Sequence, residues 1–421
     1  MSHHDPFQGF EEFMEEIAAD RMGAETKRFI EYMNSGVIGQ ERAVRKMGRE
    51  LAAYNAGLKD TLQPIGSYLF SGPTGSGKTE LARRASRFLI NPNARRPPWT
   101  LLQGGRLKEA HRVSELIGAP AGYVRSDEPG KLSQLRIDEP HFRVKVAPYL
   151  EEAFKKAGPR ADPDAVLEEL YEKHKKYISF LVGDEFEKMH PDVQKVFLHI
   201  IEDGELEMAD GSVTSFEDSV VVLTCNVGGR KQQEMLSDSE KQLGFARVRR
   251  SMEELSDEEK DARDEKIFRR TMEYLEKVFE PEMIGRINEN IVVFRALNRA
   301  QQMRVLSNML VDVQKRHDGG LNEDGSTKKA PPLMIHFTDG FREFALDEGV
   351  SVKLGLRKMR AAVFRLVTAP LSNALEAGEV RAGDEIVFGV RDKKTVIRRK
   401  RGSAIVKLPA PIPVGTFNPR G

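Results

Sequence analysis

The stretch GPTGSGKT, Gly72 to Thr79, limits what this chain can fold into more than any other. It stands between an apolar run, SYLF (Ser67–Phe70), and a helical pattern, KTELARRASRFL, that begins at its own lysine. A turn with the spacing G-x-x-x-x-G-K-[ST] between a strand and a helix lets successive backbone N–H groups close around phosphate oxygens. The helix N-terminus adds its partial positive charge. Gly72, Pro73, Thr74, Gly75, Ser76 and Gly77 are therefore expected to form a phosphate cradle. Lys78 would reach the β- and γ-phosphates of a nucleoside triphosphate, and the Thr79 hydroxyl would face Mg²⁺. A glycine turn that matched by chance would need neither the strand nor the helix.

A phosphate loop needs a carboxylate for the metal and a group to activate water. ISFLVGDEFEK supplies both types, because an apolar run ends in Asp184-Glu185. A parallel strand delivers its C-terminal side chains to the ligand crevice. Asp184 is expected in the Mg²⁺ shell, and Glu185 is expected to orient and activate the attacking water. Acidic pairs after strands also cap helices, so the pair gains its meaning from the loop before it.

Further runs, WTLL (Trp99–Leu102), SVVVLTC (Ser219–Cys225) and IVVF (Ile291–Phe294), alternate with helical patterns. Short continuous apolar runs separated by helices predict a parallel sheet covered on both faces, an α/β P-loop domain. After Leu297 the pattern changes to helices at 298–316, 338–348 and 355–376 and strands at 333–337 and 384–390, which predicts a small α+β lid. The expected organisation is a helical arm over 1–35, with Phe10, Phe13, Met14 and Ile17 at helical spacing, and a large domain over 36–296. The lid is expected over 297–392 and a basic, proline-rich tail over 393–421. Within the large domain, VAPYLEEAFKKAG and DPDAVLEELYEKHKKY predict a helical hairpin inserted at about 137–177, either a surface decoration or a docking platform.

Lys and Arg number 66 against 65 Asp and Glu, for a net charge of +1, so no global field recruits nucleic acid or an acidic membrane. No apolar run approaches the roughly 20 residues that span a bilayer. The start, MSHHDPFQGFEEF, has no basic and apolar leader, which predicts a cytoplasmic setting. The single Cys225 forbids an intrachain disulfide and reads as a small apolar filler of its strand.

VIGQERAV, GPTGSGKTE, ELIGAPAGYV, VGDEFEKMHPDVQ, TCNVGG, FEPEMIGRINE and GLRKMRAAV follow one another over residues 37–392. The series resembles the second-ring module of Clp-type AAA+ unfoldases, the group that includes ClpA, ClpB and ClpC. The resemblance implies that Val37, Ile38 and Gly39 line the adenine pocket and that Glu80 closes the phosphate motif. It makes Asn226 a sensor that polarises the catalytic water, Arg286 a finger reaching a neighbouring subunit, and Arg357 a lid residue that senses nucleotide. Read without it, these are a helix-entry turn, a strand-end turn residue and a surface arginine. Gly285, Asn288 and Cys225 stand where the family usually has Asn, Asp and Ser or Thr.

The same resemblance explains an aromatic in an otherwise glycine-rich and charged loop, GAPAGYVRSDEPG (Gly118–Gly130). Tyr123, with Val124, would grip polypeptide in the channel of a hexameric ring; otherwise it would fold onto its own domain. Arg125 replaces the usual glycine there. Leu243-Gly244-Phe245, an apolar tripeptide in a charged loop, either docks on a ClpP-type peptidase or anchors its own loop. The implied protein is a homo-oligomeric, ATP- and Mg²⁺-dependent unfoldase acting on polypeptides. The rivals are a stand-alone disassembly chaperone without a peptidase and a nucleic-acid-directed AAA+ switch, for which the basic RRKRG speaks.

Overall fold

The computed structural model describes residues 22–400 except 60–61, 92–93, 95, 120–121, 123–127, 159–161, 163–165, 167–168, 171–177, 230–256, 320–330 and 351–355. Five strands form the main sheet: β1 (Gly66–Ser71), β2 (Thr100–Gln103), β3 (Ser179–Asp184), β6 (Ser219–Cys225) and β7 (Ile291–Val293). They pair in the order β2-β3-β6-β1-β7, every pair parallel. Successive side chains on a strand point to opposite faces. Tyr68, Phe70, Phe180, Val182, Val220 and Val222 accordingly pack on one face with Phe29, Met33, Val44 and Leu81. Leu69, Leu181, Val221 and Leu223 pack on the other with Phe186, Phe197, Ile200 and Phe279. Both faces are covered, which is why β1, β3 and β6 carry apolar residues at consecutive positions rather than at every second one.

The helix Ala24–Gly36 is not a separate arm. Phe29 and Met33 are buried in the core, and Phe29 meets Phe88 edge to face at 5.3 Å. Phe10, Phe13, Met14 and Ile17 lie outside the described residues. The insertion also begins differently from expectation. One helix runs Gln134–Ala157, and its first turns belong to the core through buried Ile137, Asp138 and His141. Of the second predicted helix, the described Val166 and Leu170 are buried.

A two-stranded hairpin, β4 (Glu205–Glu207) with β5 (Val213–Ser215), follows the helix Pro191–Asp203. It turns at Asp210, whose Oδ1 accepts from the Ser212 N–H at 2.9 Å.

The lid packs helices Arg299–Arg316, Asp339–Gly349 and Arg357–Val363 on a sheet of β8 (Met334–Phe337), β9 (Glu385–Arg391) and β10 (Lys394–Lys400). The order is β10-β9-β8, with β8 and β9 parallel. Two expectations are corrected here. Residues 394–400 form a strand paired along its whole length with β9, not the start of a tail. Asp392 and Lys393 both have positive φ, 51° and 56°, the pattern of a two-residue type I′ turn. The expected single helix over 355–376 is interrupted by a π segment, Phe364–Thr368, just before Pro370, which has no N–H to give to the helical ladder.

Candidate functional site

The sheet register brings the site together. Ser71 pairs with Cys225 and Gly183 with Leu223, so β1, β3 and β6 end side by side and release Gly72, Asp184 and Asn226 at one edge. The loop after β1 depends on glycine: Gly75 and Gly77 have φ of +79° and +102°. A Cβ on Gly72 would lie 2.5 Å from the Phe294 carbonyl oxygen. The helix Lys78–Ile90 starts directly behind the loop.

Lys78 is 6% exposed, and its ammonium donates to the carbonyls of Gly72 (2.7 Å) and Pro73 (2.9 Å) and to Asn226 Oδ1 (3.1 Å). Thr74 Oγ1 donates to the same Asn226 oxygen at 3.4 Å. On its other side Asn226 donates its backbone N–H and its Nδ2 to Glu187 Oε1, both at 3.3 Å. Thr79 Oγ1 donates to Asp184 Oδ1 at 3.2 Å, and Thr224 Oγ1 donates to that oxygen at 2.6 Å. The Thr224 hydroxyl in turn accepts the Glu185 N–H at 3.2 Å. Two polar chains thus flank one loop.

Glu185 sits in the left-handed region, φ 56° and ψ 48°, which costs a non-glycine residue about 1–2 kcal/mol. Its neighbour is Gly104 beyond β2, where a Cβ would meet the Glu185 carbonyl oxygen at 2.1 Å. The Glu185 carboxylate pairs with Lys188 at 2.8 Å. Such backbone strain concentrates at functional positions.

Val37 and Ile38 are buried, and Val37 Cγ1 comes within 3.7 Å of where a Gly77 Cβ would stand. Gly39 has φ +74°. The next residue, Gln40, is a clamp that sequence reasoning passed over. Its Nε2 donates to the carbonyls of Ser76 and Arg295 at 3.0 Å each, and its Oε1 accepts the Arg295 N–H at 3.2 Å. Thr224 and Glu187 were passed over as well. A threonine at the end of an apolar run and the second glutamate of DEFEK were the only signals.

Glu80 does not turn toward the loop; its carboxylate pairs with Arg83 and, at 3.9 Å, with Arg360 of the lid. Arg286 lies in the last turn of Pro281–Ile287, about half exposed, and pairs with Glu202 of the same chain. Arg357 opens its lid helix; its side chain lies outside the described structure, as do Tyr123, Val124, Leu243, Gly244 and Phe245. The base of the Tyr123 loop is described. Lys131 and Leu132 donate backbone N–H groups to Glu115 and Leu116, and Ala209 beyond β4 donates to Ile117 at 2.9 Å, so both ends of the loop are tied down beside the β4–β5 hairpin.

Cys225 is fully buried, and burial pushes its thiol up to about 11. Among the described residues no cluster of three or more His, Cys, Asp or Glu could hold a metal. The Thr79 and Asp184 oxygens still suit Mg²⁺, which takes one or two protein oxygens alongside phosphate and water. Among the described residues no helix is long and apolar enough to cross a membrane.

A parallel sheet with a phosphate loop after β1, an acidic pair after β3 on the far side of β6, and an α+β lid is the architecture of an AAA+ P-loop ATPase. The profile of the AAA domain (Cdc48 subfamily) matches residues 63–142 and 157–290, about half of the chain, and the chain belongs to this family as one of its Clp-type members. It is 29% identical over 381 residues to the chloroplastic chaperone protein ClpC1 of Oryza sativa subsp. japonica, covering 90% of this chain and 34% of that one. It is 30% identical over 366 residues to the negative regulator of genetic competence ClpC/MecB of Bacillus subtilis, covering 87% and 37%. With the chaperone protein ClpB of Oceanobacillus iheyensis it shares 30% over 361 residues, covering 86% and 36%. The chain spans about a third of the length of these relatives.

Proposed function

We propose that the chain is the ATP-hydrolysing engine of a ring-forming protein unfoldase or remodelling chaperone that draws polypeptide through a central pore. The observation that carries this reading is the pair of polar chains around the phosphate loop, Lys78–Asn226–Glu187 and Thr79–Asp184–Thr224. In the proposal Lys78 and the loop N–H groups bind the β- and γ-phosphates of ATP, and Val37, Ile38 and Gly39 enclose its base. Thr79 and Asp184 would hold Mg²⁺, which when bound neutralises charge on the phosphates. Glu185 holds the attacking water, released from Lys188 as a general base requires. Arg286 serves the site of the next subunit in a hexamer, and Arg357 reports nucleotide state to the lid.

The names of the relatives, chaperones ClpC and ClpB, support protein as the substrate class. Tyr123 and Val124 grip it on a loop whose base is pinned at both ends. Leu243-Gly244-Phe245 docks on a ClpP-type peptidase, and the setting is cytoplasmic. Tyr123→Ala is the test. It should keep ATP turnover within about threefold, since in this reading the residue touches no phosphate, and lose unfolding of a fluorescent reporter, since an aromatic supplies most of the apolar grip. Reporter unfolding at the unmodified rate would remove the pore reading and leave the ATPase.

A further inference from the structure

Glu187 is half-buried, and its Oε2 is enclosed with no hydrogen-bond partner among the described residues, while its Oε1 takes two bonds from a single residue, Asn226. A buried carboxylate oxygen without a partner is expensive, so something has to hold it there. The 3₁₀ turn Phe186–Lys188 does so. It follows directly on strained Glu185 and is anchored by Phe186, fully buried between Phe197 and Phe279.

The consequence lies in the orientation of the Asn226 amide. A carboxylate only accepts and an ammonium only donates. With Glu187 on one side and Lys78 on the other, Asn226 has one consistent orientation: Nδ2 toward Glu187 and Oδ1 toward Lys78 and the loop. The amide is therefore presented to the phosphate loop by its oxygen. An amide oxygen at that place can accept an O–H from water; the opposite face could only donate.

We infer that Glu187 is a positioning residue for hydrolysis, which fixes the amide of Asn226 so that its oxygen faces the phosphate loop. The inference rests on the ATPase reading above. Glu187 touches no reacting atom; it acts through Asn226, whose backbone it also holds.

The test is a double-mutant cycle on the full chain, with ATP turnover and the affinity of a fluorescent ATP analogue both measured. Glu187→Ala should lower kcat by about ten- to a hundredfold, the loss expected for one hydrogen bond to a charged group, and change analogue affinity less than about threefold. In the Asn226→Ala background the same substitution should cost nothing further, because the group it positions is gone. Glu187→Gln, whose amide oxygen can still accept both bonds, should recover part of the loss and keeps the volume should the alanine variant fold poorly. Costs that multiply in the double mutant, a Glu187→Ala chain with unmodified kcat, or a glutamine variant no better than alanine would each overturn the inference while leaving the ATPase reading intact. An unmodified chain that binds the analogue but turns over no ATP would overturn both.

Discussion

Two residues at the phosphate loop carry separable jobs, and substitution should separate them. Lys78→Ala removes the ammonium that donates into the loop and should abolish ATP binding in equilibrium titration. Glu185→Gln leaves that cation in place, so it should keep binding and lose turnover. Unchanged hydrolysis by the glutamine variant would end the assignment of Glu185 as general base. Cys225 gives a check on burial. Its thiol, pushed up to about 11, stays protonated at pH 8 and beyond reach of reagents. A disulfide reagent should therefore titrate no thiol in the native protein and one after denaturation. The sign of the linked stability follows: a folded value raised above the unfolded value of 9.0 contributes fully below pH 9, and that contribution is lost as pH rises toward 11.

At the scale of elements, the second strand of the lid hairpin separates sequence reasoning from structure most clearly. KTVIRRK alternates weakly, and its turn, Asp392-Lys393, lacks the Asn-Gly or Asp-Gly signal that marks type I′ hairpins, so its basic residues read as a tail. Register supplies what composition hides: Ile397 pairs with Phe388 on the core side, and Arg398 pairs with Val387 on the outer side. Ile397→Asp should then lower lid stability by about 2–3 kcal/mol in thermal or urea unfolding, against roughly 0.5 kcal/mol or less for Arg398→Asp. Equal, negligible effects would return the segment to a tail. Strands buried on both faces were legible throughout, because continuous apolar runs admit few other readings. The β4–β5 hairpin was not read from the sequence: ELEMADGSVTS carries an Asp-Gly turn signal, but its six paired residues fall below the length at which alternation speaks. Within the site, the charged residues could be read from motifs. Gln40, Thr224 and Glu187 could not, since what they do depends on strands far apart in sequence ending side by side.

At the scale of the whole molecule, the question is what completes the site. Arg286 stands half exposed at the end of its helix and spends its charge on Glu202, a pair worth at most about 1 kcal/mol at such exposure. A guanidinium held so lightly can exchange that carboxylate for the phosphate of an adjacent subunit at little cost, and such fingers are worth about 10³–10⁵ in turnover. Arg286→Ala should therefore cut ATPase activity steeply while leaving nucleotide affinity nearly unchanged. Action across an interface makes a stronger prediction than loss of activity. Rings mixed from Arg286→Ala and Lys78→Ala chains contain junctions where an intact Arg286 faces an intact Lys78, so the mixture should recover turnover that neither chain shows alone. The recovery should vanish on dilution, when rings dissociate. Glu202→Gln supplies the control, since it frees the arginine without removing it and should leave turnover at or above that of the unmodified chain. A mixture no more active than the sum of its parts, measured at concentrations where light scattering shows a ring, would mean that Arg286 works within its own chain, and the ring would have to complete its site with another residue.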